Sequence, residues 1–186
     1  MGSVAVAGPA TQPRLISLPM AGAYPIDLDE ANRMLTAWGH RLGPVNRPFR
    51  SEAWSLDVGE RAVAVAVTCS TVSSTVAGYR LGEVVELARL CAEPGNTWAN
   101  RVLLRLWREV LAPAWALWPV RAAVSYSHNA MHRGDIYRTD GWERVRTDAG
   151  FSGKEAWGRP GYAMGATAGS KTLWLWRYDR EVANGG

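Results

Sequence analysis

The sequence predicts a mixed α/β fold in which helices cover both faces of one sheet. Three observations point there. The stretch from Val84 to Trp142 reads strand, short polar loop, helix, strand, short helix. Two β-rich runs flank a turn at Gly59-Glu60, as in a hairpin. An apolar-periodic segment follows Asp27, as in an amphipathic helix.

A chain of 186 residues that is 47% hydrophobic and 20% charged has the composition of one globular domain with a real core. Net charge is +4, and of the 21 basic residues only Lys154 and Lys171 are lysines. Arginine suits phosphate recognition through its planar fork, although a GC-rich genome enriches it without any such role. Two cysteines, Cys69 and Cys91, form neither a disulfide framework nor a metal cluster, which fits a reducing cytoplasm. No segment approaches the roughly 20 apolar residues of a membrane span. Residues 1–13 lack the charged start of a signal peptide and the hydroxyl residue of a myristoylation site, and are expected to be a disordered leader. The domain is expected over 14–180, with a tail at 181–186.

Taken in order, residues 14–19 (RLISLP) read as a first strand. A helix over 28–39 follows, capped by Asp27 with Glu30 three residues on, and buried through Leu28, Ala31, Met34, Leu35 and Trp38. HRLGPVNRPFR is a basic, turn-rich connector. In the hairpin, AWSLDV precedes RAVAVAVTCS, whose two apolar faces mark a central strand covered on both sides. STVSSTVAGYRLGE is a looser connector leading into the strand VVELARLCA. A helix over 98–110 puts Val102, Leu103, Leu106, Trp107, Val110 and Leu111 on one face and Arg101, Arg105 and Arg108 on another, until Pro113 stops it. VRAAVSYS is a strand, 129–140 a short helix closed by Gly141, and WERVRT another strand. Residues 147–171 are glycine-rich and read as a long loop or lid, and LWLWRYD is a last strand.

Chemistry concentrates in a few places. A loop opening onto a helix start offers free amides and a positive dipole end to an anion. Here that is Gly95, Asn96, Thr97, Trp98, Ala99, Asn100 and Arg101; the plainer reading is an ordinary turn capped by Thr97. Glu86 and Arg89 point to opposite faces of a regular strand, and a bulge between them would re-aim one. His132 could serve as a base or be a surface histidine, and His40 and His128 have no metal-ligand spacing with it. Trp157, Lys154 and Arg159 lie in the glycine-rich loop, where stacking and phosphate contacts would suit a nucleic acid, as would Arg105 and Arg108. Trp174, Trp176 and Tyr178 share one strand face and read better as core than as a stacking platform.

With these residues quoted, the chain resembles the GNAT superfamily of acyl-CoA N-acyltransferases, and within it the phage Mom-type DNA-modification proteins. The resembling residues are Glu86-Leu87-Ala88-Arg89-Leu90, PGNTWANRVLL, Ser125-Tyr126 and HRGDIYRTDGW at 132–142. They span about half the chain. The resemblance implies a central, mostly antiparallel sheet splayed between two strands. It implies acetyl-CoA or another acyl-CoA, with Leu90, Cys91 and Ala92 meeting the thioester and the 95–101 segment meeting the pyrophosphate. It further implies Tyr137, in Tyr-x-x-x-Gly-aromatic, as donor of a proton to the leaving thiolate, and the Mom-type resemblance favours Arg89, Ser125 and Tyr126 near the reacting centre; Glu86 and His132 are the other polar candidates for catalysis. One departure stands out: Trp98-Ala99-Asn100 occupies the place of the superfamily's Gly-x-Gly.

Three readings follow. The first is a transferase that modifies a base of DNA, adenine in Mom-type proteins, and so shields phage DNA from restriction. The second is an N-acetyltransferase of a small amine or a protein. The third is a GNAT-fold protein that only binds nucleic acid. A metal requirement and the oligomeric state are open.

Overall fold

A computed structural model describes residues 20–47, 50–130, 133–149 and 170–178. The leader, the expected strand at 14–19, His132, Lys154, Trp157, Arg159 and most of the glycine-rich loop lie outside the described residues.

The chain runs β1 (Ala21–Ile26), α1 (Leu28–Ala37), β2 (Ser51–Val58), β3 (Arg61–Ser70), β4 (Thr75–Val76), β5 (Tyr79–Arg80), β6 (Val84–Ala92), α2 (Trp98–Leu106), β7 (Ala122–His128), α3 (Asp135–Thr139), β8 (Glu143–Arg146) and β9 (Lys171–Arg177). Among the described residues one seven-stranded sheet has the order β1-β2-β3-β6-β7-β9-β8, and β4 pairs with β5 apart from it. Every pairing in the large sheet is antiparallel except β6 with β7. The expected sheet is therefore found, with a first strand that sequence reading had not drawn from AGAYPI: Pro25 sits on an edge strand, where its missing N–H costs nothing.

β3 is an interior strand, third of the seven. Val65, Val67 and Cys69 face one side with Ala31 and Leu35 of α1. Ala64 and Ala66 face the other with Leu103, Leu104 and Trp107 of the α2 segment. Alternation along one apolar strand thus feeds two cores. α1 begins as expected: the Asp27 carboxylate accepts the Glu30 N–H at 2.6 Å.

The second helix departs from expectation. It is α-helical only to Leu106, and Trp107–Leu111 continues as a π-turn, where the Ala112 N–H reaches the Trp107 carbonyl at 2.7 Å. The buried face is Ala99, Leu103, Leu104, Trp107 and Leu111, while Val102 and Val110 are exposed. Arg108 is buried beside Trp107, so the arginine stripe is not a continuous outer face. α3 is also shorter than the expected 129–140 helix. It starts only after Gly134, whose φ of 69° is left-handed, and Gly141 follows it at φ 88°.

Candidate active site

The site begins where β6 and β7 part. Their parallel ladder covers Val84↔Ala122, Val85↔Ala123, Glu86↔Val124 and Leu87↔Ser125. β6 then runs on to Ala92 and β7 to His128 with no mutual pairing among the described residues. A bulge sits at the same place: β3 pairs Val67 with Arg89 and Thr68 with Leu87, leaving Ala88 extra. A bulge bends its strand, and here it turns β6 away from β7. It also sets Glu86 opposite Cys69 and Arg89 opposite Val67, two residues apart on β3 and therefore on one face. The expected re-aiming is what the strand does.

The fork opens a cleft of ≈ 680 Å³, within the usual range for small-molecule sites. Its walls include Leu90, Cys91 and Ala92 of β6, Asn100 of α2, Ser125 and Tyr126 of β7, Tyr137 of α3, and Arg41 in the connector after α1.

Tyr137 and Ser125 meet at the fork. The Ser125 hydroxyl donates to the Leu87 carbonyl at 3.0 Å, just where β-pairing ends. Its single proton is thereby used, so the Tyr137 phenol donates to Ser125 Oγ at 2.8 Å. The ring of Tyr137 stacks on Trp174 with centroids 5.7 Å apart and meets the edge of Trp142 at 5.4 Å. Burial pushes its pKa above the usual phenol range and the Ser125 hydrogen bond pulls it back in part. The phenol stays protonated at neutral pH and can act there as an acid. Tyr137 also anchors Trp142 through this edge contact, the core role read for Trp174 is seen, and Trp176 and Tyr178 pack against the same core.

Glu86, Arg89 and Tyr126 lie on the other face of the sheet. Glu86 is buried and paired with Arg47 at 2.9 Å, and it is absent from the cleft wall. Its expected place at the reacting centre is corrected to one step behind it, because its carboxylate is held by Arg47. Arg89 lines the cleft, but its guanidinium donates to the carbonyls of Leu42, Gly43 and Pro44, fastening the α1–β2 connector over the fork. Tyr126 lines the cleft on this face, its pKa raised by burial and by Glu86 and lowered in part by Arg47.

The helix-start candidates divide. Leu90, Cys91, Ala92 and Asn100 line the cleft, whereas Gly95, Asn96, Thr97, Trp98, Ala99 and Arg101 do not. Ala99 is a correction: it is fully buried and its N–H already donates to the Asn96 carbonyl at 2.9 Å, so it offers no amide to an anion. The Asn96 side chain is likewise used, donating to Glu93 at 2.8 Å. Thr97 makes no side-chain cap, and Trp98 is 49% exposed, so its ring does not plug the fork.

Arg108 is the clearest correction. Its side chain is 8% exposed, and its guanidinium clasps Asp140 through Nε at 2.8 Å while lying 3.8 Å from the centre of the Trp176 ring. A buried, paired cation cannot meet phosphate. Arg105 is 66% exposed, but it too faces Asp140, at 3.7 Å, and Glu109, at 3.8 Å.

Sequence reading missed the cleft's basic lining. His40, Arg41, Arg89, His128 and Arg133 stand in its wall with one carboxylate, Asp135, which pairs with Arg138 at 2.9 Å. Residues 39–42 belong to a turn-rich connector, so no local pattern marks them. Buried polar atoms without partners also lie here: Asn100 Oδ1 and His128 Nδ1. No group of three or more metal-ligand side chains occurs among the described residues.

This arrangement is that of the GNAT acetyltransferase fold. A GNAT family acetyltransferase from Elizabethkingia anophelis with acetyl-CoA bound is similar at 12% identity and TM-score 0.50, covering 84% of this chain and 97% of that one. A probable acetyltransferase from Staphylococcus epidermidis is similar at 10% identity and TM-score 0.56, covering 86% and 99%. The ribosomal-protein-S18-alanine N-acetyltransferase of Escherichia coli is similar at 11% identity and TM-score 0.50, covering 84% and 91%. No protein-family model matches the chain, and no curated protein matches it in sequence.

Proposed function

We propose that this chain is an acyl-CoA-dependent N-acyltransferase whose acceptor is a nucleobase of DNA. The observation that carries the transferase reading is the fork itself: β6 leaves β7 at the residue where the Ser125–Tyr137 pair stands. An acyl-pantetheine arm fits the residues present. The β6 edge beyond Leu87 has amides with no β7 partner among the described residues, and Asn100 Oδ1 is an unmet acceptor beside it. Bound there, the cofactor would supply the activated acyl group.

The chain's own residues then have distinct tasks. β6 amides beside Leu90 and Ala92 hold and polarise a carbonyl. Tyr137, its O–H directed at Ser125 Oγ, would give that proton to the leaving sulfur and take one back as the acceptor nitrogen loses its own. After that transfer, the Ser125 hydroxyl can turn from the Leu87 carbonyl to the phenolate oxygen. Arg89 keeps the connector closed over the acceptor side.

A polyanionic acceptor is supported by Arg41 and Arg133 in the cleft wall, and by the resemblance of the 86–90, 125–126 and 132–142 segments to Mom-type proteins. A cationic amine would be drawn instead to an acidic pocket, and the wall carries one carboxylate, already paired. Such a modified base would resist restriction enzymes. Mass spectrometry of nucleosides from DNA co-expressed with the chain is expected to show an acyl-type adduct. Unmodified DNA alongside acetyl transfer to amines or peptides would replace the DNA reading with the second one. Failure to bind any acyl-CoA would remove both.

A further inference from the structure

Building on the transferase reading, we infer that the Asn100 carboxamide recognises the amide-bearing pantetheine arm of the cofactor, a task that falls to a side chain because the helix start carries Trp98-Ala99-Asn100. Three observations converge on it. Asn100 is the third residue of α2 and lines the same cleft as Leu90 and Ala92. Its Oδ1 is buried and has no partner. The amide next to it is unavailable, since Ala99 N–H is committed to Asn96, and Asn96 is itself tied to Glu93.

A buried carboxamide oxygen with no hydrogen bond is unfavourable, and a structure that keeps one at a cleft wall is completed when a donor arrives. A pantetheine arm carries two secondary amides, each with one N–H. The unpaired edge of β6 can meet such an arm as a strand meets an added strand. With the arm there, Asn100 Oδ1, in the wall of the same cleft, would accept one of the arm's amide N–H groups. Helical side chains lean toward the helix N-terminus, so this carboxamide reaches back toward the turn before α2. The chain therefore reads the arm more than the phosphates.

The test measures binding of two probes to the full chain by calorimetry. One is coenzyme A; the other is adenosine 3′,5′-bisphosphate, which has the nucleotide end without the arm. In Asn100→Ala, coenzyme A is expected to bind about five- to tenfold more weakly, the loss of one hydrogen bond. Adenosine 3′,5′-bisphosphate is expected to bind as it does to wild type. Melting near the wild-type temperature checks that alanine, a good helix former, leaves α2 intact. An unchanged or tighter affinity for coenzyme A in Asn100→Ala would overturn the inference and leave the transferase reading standing. Equal weakening for both probes would also overturn it, showing that Asn100 only shapes the turn. Wild type failing to bind coenzyme A would overturn the transferase reading and this inference together.

Discussion

Tyr137 illustrates how one side chain serves both architecture and chemistry. Its ring is a stacking partner for Trp174, and its hydroxyl ends a two-step relay through Ser125 to the Leu87 carbonyl. Tyr137→Phe keeps the ring and removes one hydrogen bond. Loss of a general acid is expected to lower turnover by about 10²–10⁴-fold. Loss of one hydrogen bond, about 1 kcal/mol, is expected to lower the melting temperature by about 2–4 °C in a chain of this size. Steady-state kinetics and a melting curve on the same preparation check both. Turnover equal to wild type would remove Tyr137 from the chemistry. The resemblance pointed to this tyrosine and put Ser125 near it, but it did not supply the hydrogen bond between them. That contact joins residues 12 apart across a strand and a helix.

The elements around the fork are set by close approach as much as by propensity. Gly134 starts α3 at a left-handed φ, and a Cβ there would lie 2.3 Å from Cζ2 of Trp174. Gly134→Ala is therefore expected to destabilise by about 2–4 kcal/mol and to disturb the Tyr137–Trp174 stack, read by urea unfolding and near-ultraviolet circular dichroism. Unchanged stability would mean that the α3 start moves freely. The π-turn after α2 works on the same helix from the opposite end. It carries Arg108 to Asp140, the residue that closes α3, and Asp140 also accepts the Trp142 indole N–H at 3.0 Å. Arg108 looked like one tooth of an exposed basic stripe because a 3.6-residue period was extended through 110. It is buried because Asp140 and the Trp176 ring pack against it.

At the scale of the whole molecule, buried weak acids couple the fold to alkaline pH. Burial pushes the Cys69 thiol from 9.0 up to about 11 and raises Cys91 as well. Burial likewise raises Tyr126, Tyr137 and Tyr178 above the ordinary value of 10.0. In the unfolded chain these groups lose protons at their ordinary values, while the folded chain still holds them. The unfolded state then binds fewer protons, so stability falls as pH rises. Urea midpoints are expected to be level through neutral pH and to fall progressively from about pH 9 upward. A midpoint that rises or stays level above about pH 10 would contradict this burial pattern. No helix among the described residues is long and apolar enough to cross a membrane, a statement that leaves strands aside.

Local pattern determined what local forces decide. The α1 cap, the hairpin at Gly59-Glu60, the two-faced β3 and the approximate places of β6, β7 and β9 follow from short-range sequence, because capping, alternation and turn chemistry act over a few residues. The bulge at Ala88, the parting of β6 from β7, the inward turn of Arg108 and the basic lining from residues 40, 41 and 133 were decided by packing between distant segments. Their energies depend on which neighbours share a face, and that is defined only once the sheet has assembled.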